Sequence, residues 1–323
     1  MPAQQPCEWQ QPSWRQLIMQ VRSNRLAHAY LITGLKGSGR HQFVTALCAY
    51  MLCEHTTSSR DTACGECRQC LLNASDQHPD ILWVSPEEGS QAIKIDQIRQ
   101  LTGHVQQTSS QTGAYKIVVI NPVAALAPAA ANALLKSLEE PPGKTLFLLV
   151  SESGDHVLPT VRSRCQPLPL PPPDLQQSLN WLSQQSASDS QLLRSAAQLA
   201  PRQPFYALDL LEQGIPQWRV LLHEQLSALH RGDISVTEVA RFCEKQDFRH
   251  AIHTLEDLCL ERLRELSRQR QDPAIKTNMQ QLLTLHREIT SVYQQFSSTA
   301  NVNQLLGFEY LLGRWLGFRS AFS

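Results

Sequence analysis

Four cysteines crowd into one short stretch, Cys53-x10-Cys64-x2-Cys67-x2-Cys70. Thiolates are soft ligands, and four at this spacing, with a turn at Gly65, form the closed tetrahedral set of a structural zinc site. Such a set leaves no open coordination position, so the expected ion is structural and not catalytic. Cys48 sits a turn earlier on the same helix and is a poorer fourth ligand; His55 and His78 are poorer still. Buried free thiols or a redox dithiol are the alternatives, but three cysteines at even steps suit a metal better. Cys7, Cys48, Cys243 and Cys259 have no partner spacing and are expected to be packing or surface thiols.

A second chemical signal lies upstream. Gly34-Leu-Lys-Gly-Ser-Gly39-Arg40-His41 follows an apolar strand and opens a helix, where a phosphate-binding loop belongs. The spacing of Gly34 and Gly39 fits such a loop, although a chance glycine turn is the simpler alternative. A working loop carries Lys and then Ser or Thr after its last glycine, to reach the β- and γ-phosphates and to hold Mg²⁺. Those places hold Arg40 and His41, and Lys36 lies inside the loop at the wrong spacing. The strand Lys116–Ile120 should end in acids for the magnesium and the attacking water, but Asn121 and Pro122 follow it. Two independent lesions predict no productive ATP binding and no hydrolysis by this chain.

The elements that must position these residues are legible up to about Cys165. Ala29–Thr33, Ile81–Val84, Lys116–Ile120 and Thr145–Ser151 read as buried strands alternating with helical stretches, which predicts a parallel α/β sheet. Gln166–Pro173 (Gln-Pro-Leu-Pro-Leu-Pro-Pro-Pro) reads as an extended linker and a domain boundary, because proline lacks the ladder N–H. Beyond it only helical periodicity remains, in Leu175–Gln185, Ser190–Leu199, Phe205–Gln213, Trp218–Arg231, Val236–Glu244, Arg249–Arg268, Thr277–Ser297 and Asn303–Leu316. The expected division is an α/β module over 1–166, a small helical domain over 167–214 and a larger helical domain over 215–323.

Asn132-Ala-Leu-Leu-Lys-Ser-Leu-Glu-Glu-Pro-Pro142 and Ser163-Arg164-Cys165 resemble the clamp-loader family of AAA+ proteins. The pattern includes His28-Ala-Tyr-Leu, the glycine loop, the cysteine knuckle, His78-Pro-Asp80 and Ile93-x-Ile-Asp-x-Ile-Arg99. Departures at Arg40, His41, Asn121 and Pro122 make the chain similar to the delta-prime subunits of bacterial DNA polymerase III, not to the ATP-hydrolysing gamma/tau subunits. The resemblance implies an AAA+ module, a helical lid and an all-helical collar. It also implies membership of a hetero-pentamer with gamma/tau and delta that loads the sliding clamp on primed DNA. In that setting Arg164 would reach the ATP of an adjoining gamma/tau subunit. Arginine suits bidentate phosphate recognition; an ion pair with a carboxylate of the second domain is the structural alternative. Asn303–Leu316 suits ring assembly or packing within its own domain equally.

Composition narrows the field. The 323 residues are 42% hydrophobic and 18% charged, as in ordinary globular proteins. Lys+Arg and Asp+Glu both number 29, and a free-standing nucleic-acid binder usually carries a basic excess. That argues against the main rival, a stand-alone zinc-containing nucleic-acid-binding module; an ATPase with an unconventional loop is the other. The N-terminus lacks the apolar core of a signal peptide and no run is long enough to span a bilayer, so the chain is expected in the cytoplasm.

Overall fold

The structure is a computed structural model that describes residues 5–56, 60–106, 115–268, 273–298 and 303–317. It forms two compact units, residues 1–209 and 210–323. In the first, β1 (Ala29–Thr33), β2 (Ile81–Val84), β3 (Lys116–Ile120), β4 (Thr145–Ser151) and β5 (Gln166–Pro169) form one sheet in the order β2-β3-β4-β1-β5. Every pairing is parallel. The helices of this unit are α1 (Gln11–Arg22), α2 (Arg40–Leu52), α3 (Arg68–Ala74), α4 (Ile95–Gln106), α5 (Pro128–Glu139), α6 (Pro159–Arg162), α7 (Leu175–Gln185) and α8 (Ser190–Leu199). The chain then enters α9 (Pro204–Glu212).

The near-continuous apolar strands follow from burial on both faces. Successive side chains alternate sides. Tyr30, Ile32, Ile117, Val119, Leu146, Leu148 and Val150 thus join one core with Trp14, Leu17, Phe43 and Leu47 of α1 and α2. Ala29, Leu31, Val118, Ile120, Phe147 and Leu149 join the opposite core with Ile98, Leu101, Leu134 and Leu138 of α4 and α5.

The stretch expected as a linker is, over Gln166–Pro169, the fifth strand, paired with β1 from Tyr30↔Gln166 to Thr33↔Pro169. Proline is tolerated because β5 is an edge: an imide nitrogen facing away from β1 removes no ladder bond. Leu168 is buried while Pro167 and Pro169 are exposed, and the Leu170 N–H continues the pairing by donating to Thr33 O at 2.7 Å.

The second unit contains α10 (Ile215–Arg231), α11 (Val236–Glu244), α12 (Phe248–Ser267), α13 (Pro273–Ser298) and α14 (Gln304–Gly317). They share a core that includes Leu222, Val239, Leu255, Leu285, Phe308, Leu312 and Trp315. The apolar face of α14 thus packs within its own unit, although Leu306 and Tyr310 stay exposed. Capping boxes start α7, with Asp174 and Gln177, and α11, with Ser235 and Glu238. Among the described residues no helix is long and apolar enough to cross a membrane.

The sheet core sets the stability of the first unit. Leu148, fully buried in β4, is the place to test this: Leu148→Ala should cost about 2–5 kcal/mol in urea unfolding.

Candidate functional site

The glycine loop connects β1 to α2 at the C-terminal end of the sheet. Gly39 occupies the N-cap of α2 with φ 90° and ψ 25°, a left-handed conformation that favours glycine. The chain's own side chains close around it. Trp9 Nε1 donates to Ser38 O at 2.9 Å, and Gln10 Nε2 donates to Gly39 O at 2.9 Å and Ser38 O at 3.3 Å. The Phe205 N–H donates to Gly37 O at 3.1 Å. A Cβ on Gly39 would stand 2.8 Å from Phe205 Cε2, and one on Gly37 would stand 3.1 Å from Cβ of both Gln203 and Tyr206. Trp181 stacks obliquely on Phe205 with centroids 4.3 Å apart and meets Trp9 edge-on at 6.4 Å. Trp9, Gln10 and Phe205 lie far from the glycines in sequence and carry no local signal of this contact.

The two residues in place of the phosphate and magnesium ligands are engaged elsewhere. Arg40 Nη2 approaches Glu152 at 3.6 Å, and its Nη1 is buried without a hydrogen-bond partner. Burial pulls the guanidinium below its ordinary value while Glu152 opposes the shift. His41 stacks on Trp83 of β2, centroids 5.0 Å apart and rings 21° from parallel. Lys36 is exposed. Asn121, at the end of β3, donates its N–H to Val84 O at 2.9 Å and supplies no carboxylate.

The cysteine cluster is assembled by the end of α2, a turn and the start of α3. Cys53 follows α2, Gly65 turns the chain with φ 80°, and Cys67 caps α3 by accepting from the Cys70 N–H at 3.5 Å. The sulfurs of Cys53, Cys64, Cys67 and Cys70 all lie within 4.8 Å of one another, and those of Cys64 and Cys70 are 3.8 Å apart. A tetrahedral ion bonded at about 2.3 Å holds its sulfurs about 3.8 Å apart, so the four can hold a metal ion. Backbone N–H groups of His55 and Cys64 point at Cys53 Sγ, both at 3.4 Å, and that of Cys67 at Cys64 Sγ at 3.3 Å. Such donors stabilise thiolates. Burial opposes ionisation of Cys64, yet N–H groups of Glu66 and Cys67 hold its thiol down at about 6; burial raises Cys53 and Cys70. Cys48 is fully buried outside the set, in the core with Phe43 and Leu47. His78 is outside it too: its Nδ1 accepts from the Asp80 N–H at 3.1 Å. His55, Cys64 and Glu66 form a second, largely exposed group of possible ligands that shares Cys64.

Arg164 lies between α6 and β5. Val161 and Cys165 on either side are buried in the core beneath α5, and burial pushes the Cys165 thiol up to about 11, so it packs as a neutral side chain. Arg164 Nε donates to Glu139 Oε1 at 2.7 Å and Nη2 to the same oxygen; Nη1 donates to Thr160 O at 2.9 Å and Ser163 Oγ at 3.3 Å. The carboxylate that faces Arg164 is therefore Glu139, at the end of α5, whereas the structural alternative places one in the second domain. No periodicity or spacing in the sequence marks Glu139 as its partner.

The family described as DNA polymerase III, delta subunit, matches residues 9–174, the segment that contains the loop, the knuckle and Arg164. The DNA polymerase III subunit delta' of Pseudomonas aeruginosa is 33% identical over 324 residues, spanning 95% of this chain and 96% of that protein. This chain belongs to the delta-prime family. Another of its members, subunit delta' of Escherichia coli, is 35% identical over 219 residues, 68% of this chain and 65% of that protein. Among solved structures, a DNA polymerase III gamma subunit-related protein of Thermotoga maritima aligns with TM-score 0.50 and 17% identity, over 94% of this chain and 99% of that one. At that identity the likeness speaks for the fold alone, a parallel sheet with flanking helices followed by further helices.

The closed loop of this delta-prime chain predicts opposite outcomes for two glycines. Gly39→Ala must adopt a strained φ and displace Phe205, and should cost about 1–3 kcal/mol of stability. Gly103→Ala, with open space around it in α4, should gain roughly 0.5–1 kcal/mol. Thermal denaturation of the two variants beside the unmodified chain reads both.

Proposed function

We propose that this chain is a non-hydrolysing subunit of a DNA polymerase III clamp loader, and that it supplies Arg164 in trans to the ATP of a neighbouring gamma/tau subunit. The reading is carried by one combination: delta-prime membership together with Arg40, His41, Asn121 and Pro122 at the places where an ATPase needs its lysine, hydroxyl and acids. Supporting it, the loop holds the side chains of Trp9, Gln10 and Phe205 against its backbone. In this role the chain would assemble with gamma/tau and delta into a hetero-pentamer in the cytoplasm that places the sliding clamp on primed DNA. The sheet module (1–166 by sequence, carried on to Pro169 by β5), the helical lid that follows up to 214 and the helical collar (215–323) would be its working parts, with the collar serving assembly.

Hydrolysis at the neighbour's site passes a water oxygen to the γ-phosphorus as the bond to the β–γ bridging oxygen breaks. Negative charge spreads over the transferred group and the leaving oxygen, and an arginine from across an interface stabilises that charge by a factor of about 10³–10⁵ elsewhere. A guanidinium fork does this better than an ammonium. A chain without a working site of its own thereby becomes necessary to its neighbour's.

Cys53, Cys64, Cys67 and Cys70 would hold a zinc ion, which supplies a cross-link between the end of α2 and the start of α3 and no reaction chemistry. Structural zinc contributes about 10–16 kcal/mol in small peptides. Here Trp14 Nε1 also donates to Asp61 O at 2.8 Å, and the sheet core is independent of the knuckle, so most of the fold should survive loss of the metal.

Three experiments test these assignments. Elemental analysis of chain purified without chelator should find about one zinc per chain, and Cys67→Ser should lose it while still assembling; a metal-free unmodified protein would overturn the zinc reading. Arg40→Lys should show no ATP turnover alone, since the hydroxyl and the acids are still missing; measurable hydrolysis would show the strand end to be competent. Arg164→Ala, reconstituted with unmodified partners and checked by gel filtration, should assemble yet lose part of the clamp- and DNA-stimulated ATPase and loading. Arg164→Lys should recover it only in part. An assembled Arg164→Ala ring with full ATPase and loading would assign Arg164 to structure alone.

A further inference from the structure

We propose that Glu139 is the positioning residue for Arg164, holding the guanidinium as a preset fork before a phosphate of the neighbour's ATP reaches it. The inference rests on the in-trans role of Arg164 proposed above and adds to it a second residue, outside the Ser-Arg-Cys triplet.

The geometry carries it. Nε and Nη2 of Arg164 both donate to Glu139 Oε1, so one edge of the fork is taken by the carboxylate. Nη1 donates to Thr160 O at 2.9 Å and loosely to Ser163 Oγ at 3.3 Å. Bidentate recognition of an oxyanion uses one edge of the guanidinium; on the Nη1/Nη2 edge Nη2 keeps one N–H, and Nη1 presents a second by giving up its long contact with Ser163 Oγ at 3.3 Å. The backbone beneath is fixed as well, since Val161 and Cys165 are anchored in the core. Only the rotamers of a long, flexible side chain are left to be set, and Glu139 sets them. Fixing them in advance spares the ordering cost when the phosphate binds.

Glu139 is poorly placed to serve its own helix. It is the last residue of α5, where the helix dipole disfavours a negative charge. Its partner is Arg164, reached across 25 residues of sequence. The pair is also open to solvent in part, with Arg164 half-buried at 33% and Glu139 exposed at 51% of the side-chain surface. Exposed pairs contribute little to folding, so this one can be removed without unfolding the module. Glu139 itself exchanges no proton and forms no bond in the reaction; it acts through Arg164.

The test uses the full ring, reconstituted with ATP-hydrolysing partners whose own equivalent arginines are alanine, so that the site facing Arg164 dominates turnover. Assembly is checked by gel filtration, and kcat and KM for ATP are measured with clamp and primed DNA present. Glu139→Ala should lower kcat about two- to fivefold with KM unchanged. Glu139→Gln, which keeps an acceptor oxygen without the charge, should fall between the two. Combining Glu139→Ala with Arg164→Ala should give the rate of Arg164→Ala alone, because the two act as one unit. Full kcat in Glu139→Ala, or a further loss when it is added to Arg164→Ala, overturns the positioning role. Should Arg164→Ala itself keep full kcat, the in-trans reading fails, and that result is distinct from a failure confined to Glu139. If Glu139→Ala does not assemble, Glu139→Gln carries the same comparison: full kcat in an assembled ring counts against the proposal.

Discussion

Parallel pairing of β1 with β4 on one side and β5 on the other is the constraint from which the rest of the first unit follows. In a parallel sheet all strands end on the same edge, so residues distant in sequence leave the sheet side by side. The glycine loop leaves β1 there, Asn121 leaves β3, Glu152 leaves β4 and Leu170 leaves β5. Arg40 meets Glu152 for this reason, and a Cβ on Gly34 would stand 3.3 Å from that of Leu170. At that edge the residues that follow the glycines meet other protein groups: Arg40 faces Glu152 and His41 stacks on Trp83.

The loop's own contacts have an energetic logic. A glycine loop carries polar backbone that must be satisfied once it is buried. Ser38 is fully buried, and its carbonyl receives Trp9 Nε1 and Gln10 Nε2. The aromatic group of Trp9, Trp181 and Phe205 adds apolar area around the same loop. Protein groups thus stand against the loop backbone, and the helical segment after the sheet is tied to it through Phe205 and Gly37.

Charge is handled locally throughout. Arg40 faces Glu152, Arg164 faces Glu139, Arg219 bridges Asp257 and Glu261, and Arg314 grips Glu288. A chain of zero formal net charge built from such pairs projects little long-range field.

Much of this was legible in the residues alone. Strands β1 to β4 announce themselves because burial on both faces demands unbroken apolar runs, and the helices of the second unit because one buried face imposes a helical period. The cysteine spacing implied a four-thiolate set, since the chelate depends on neighbours in sequence, and the missing lysine, hydroxyl and acids could be read position by position. Tertiary structure decided what depends on distant partners. It made a strand of the proline-rich Gln166–Pro169, because an edge position forgives a missing N–H that a central strand would not. It brought Trp9, Gln10 and Phe205 to the glycine loop, and it gave Arg164 the carboxylate of Glu139 from the end of α5. Local propensity and spacing report interactions within a few residues; which side chains meet across a sheet edge is set by the strand order, and no single stretch of sequence encodes that.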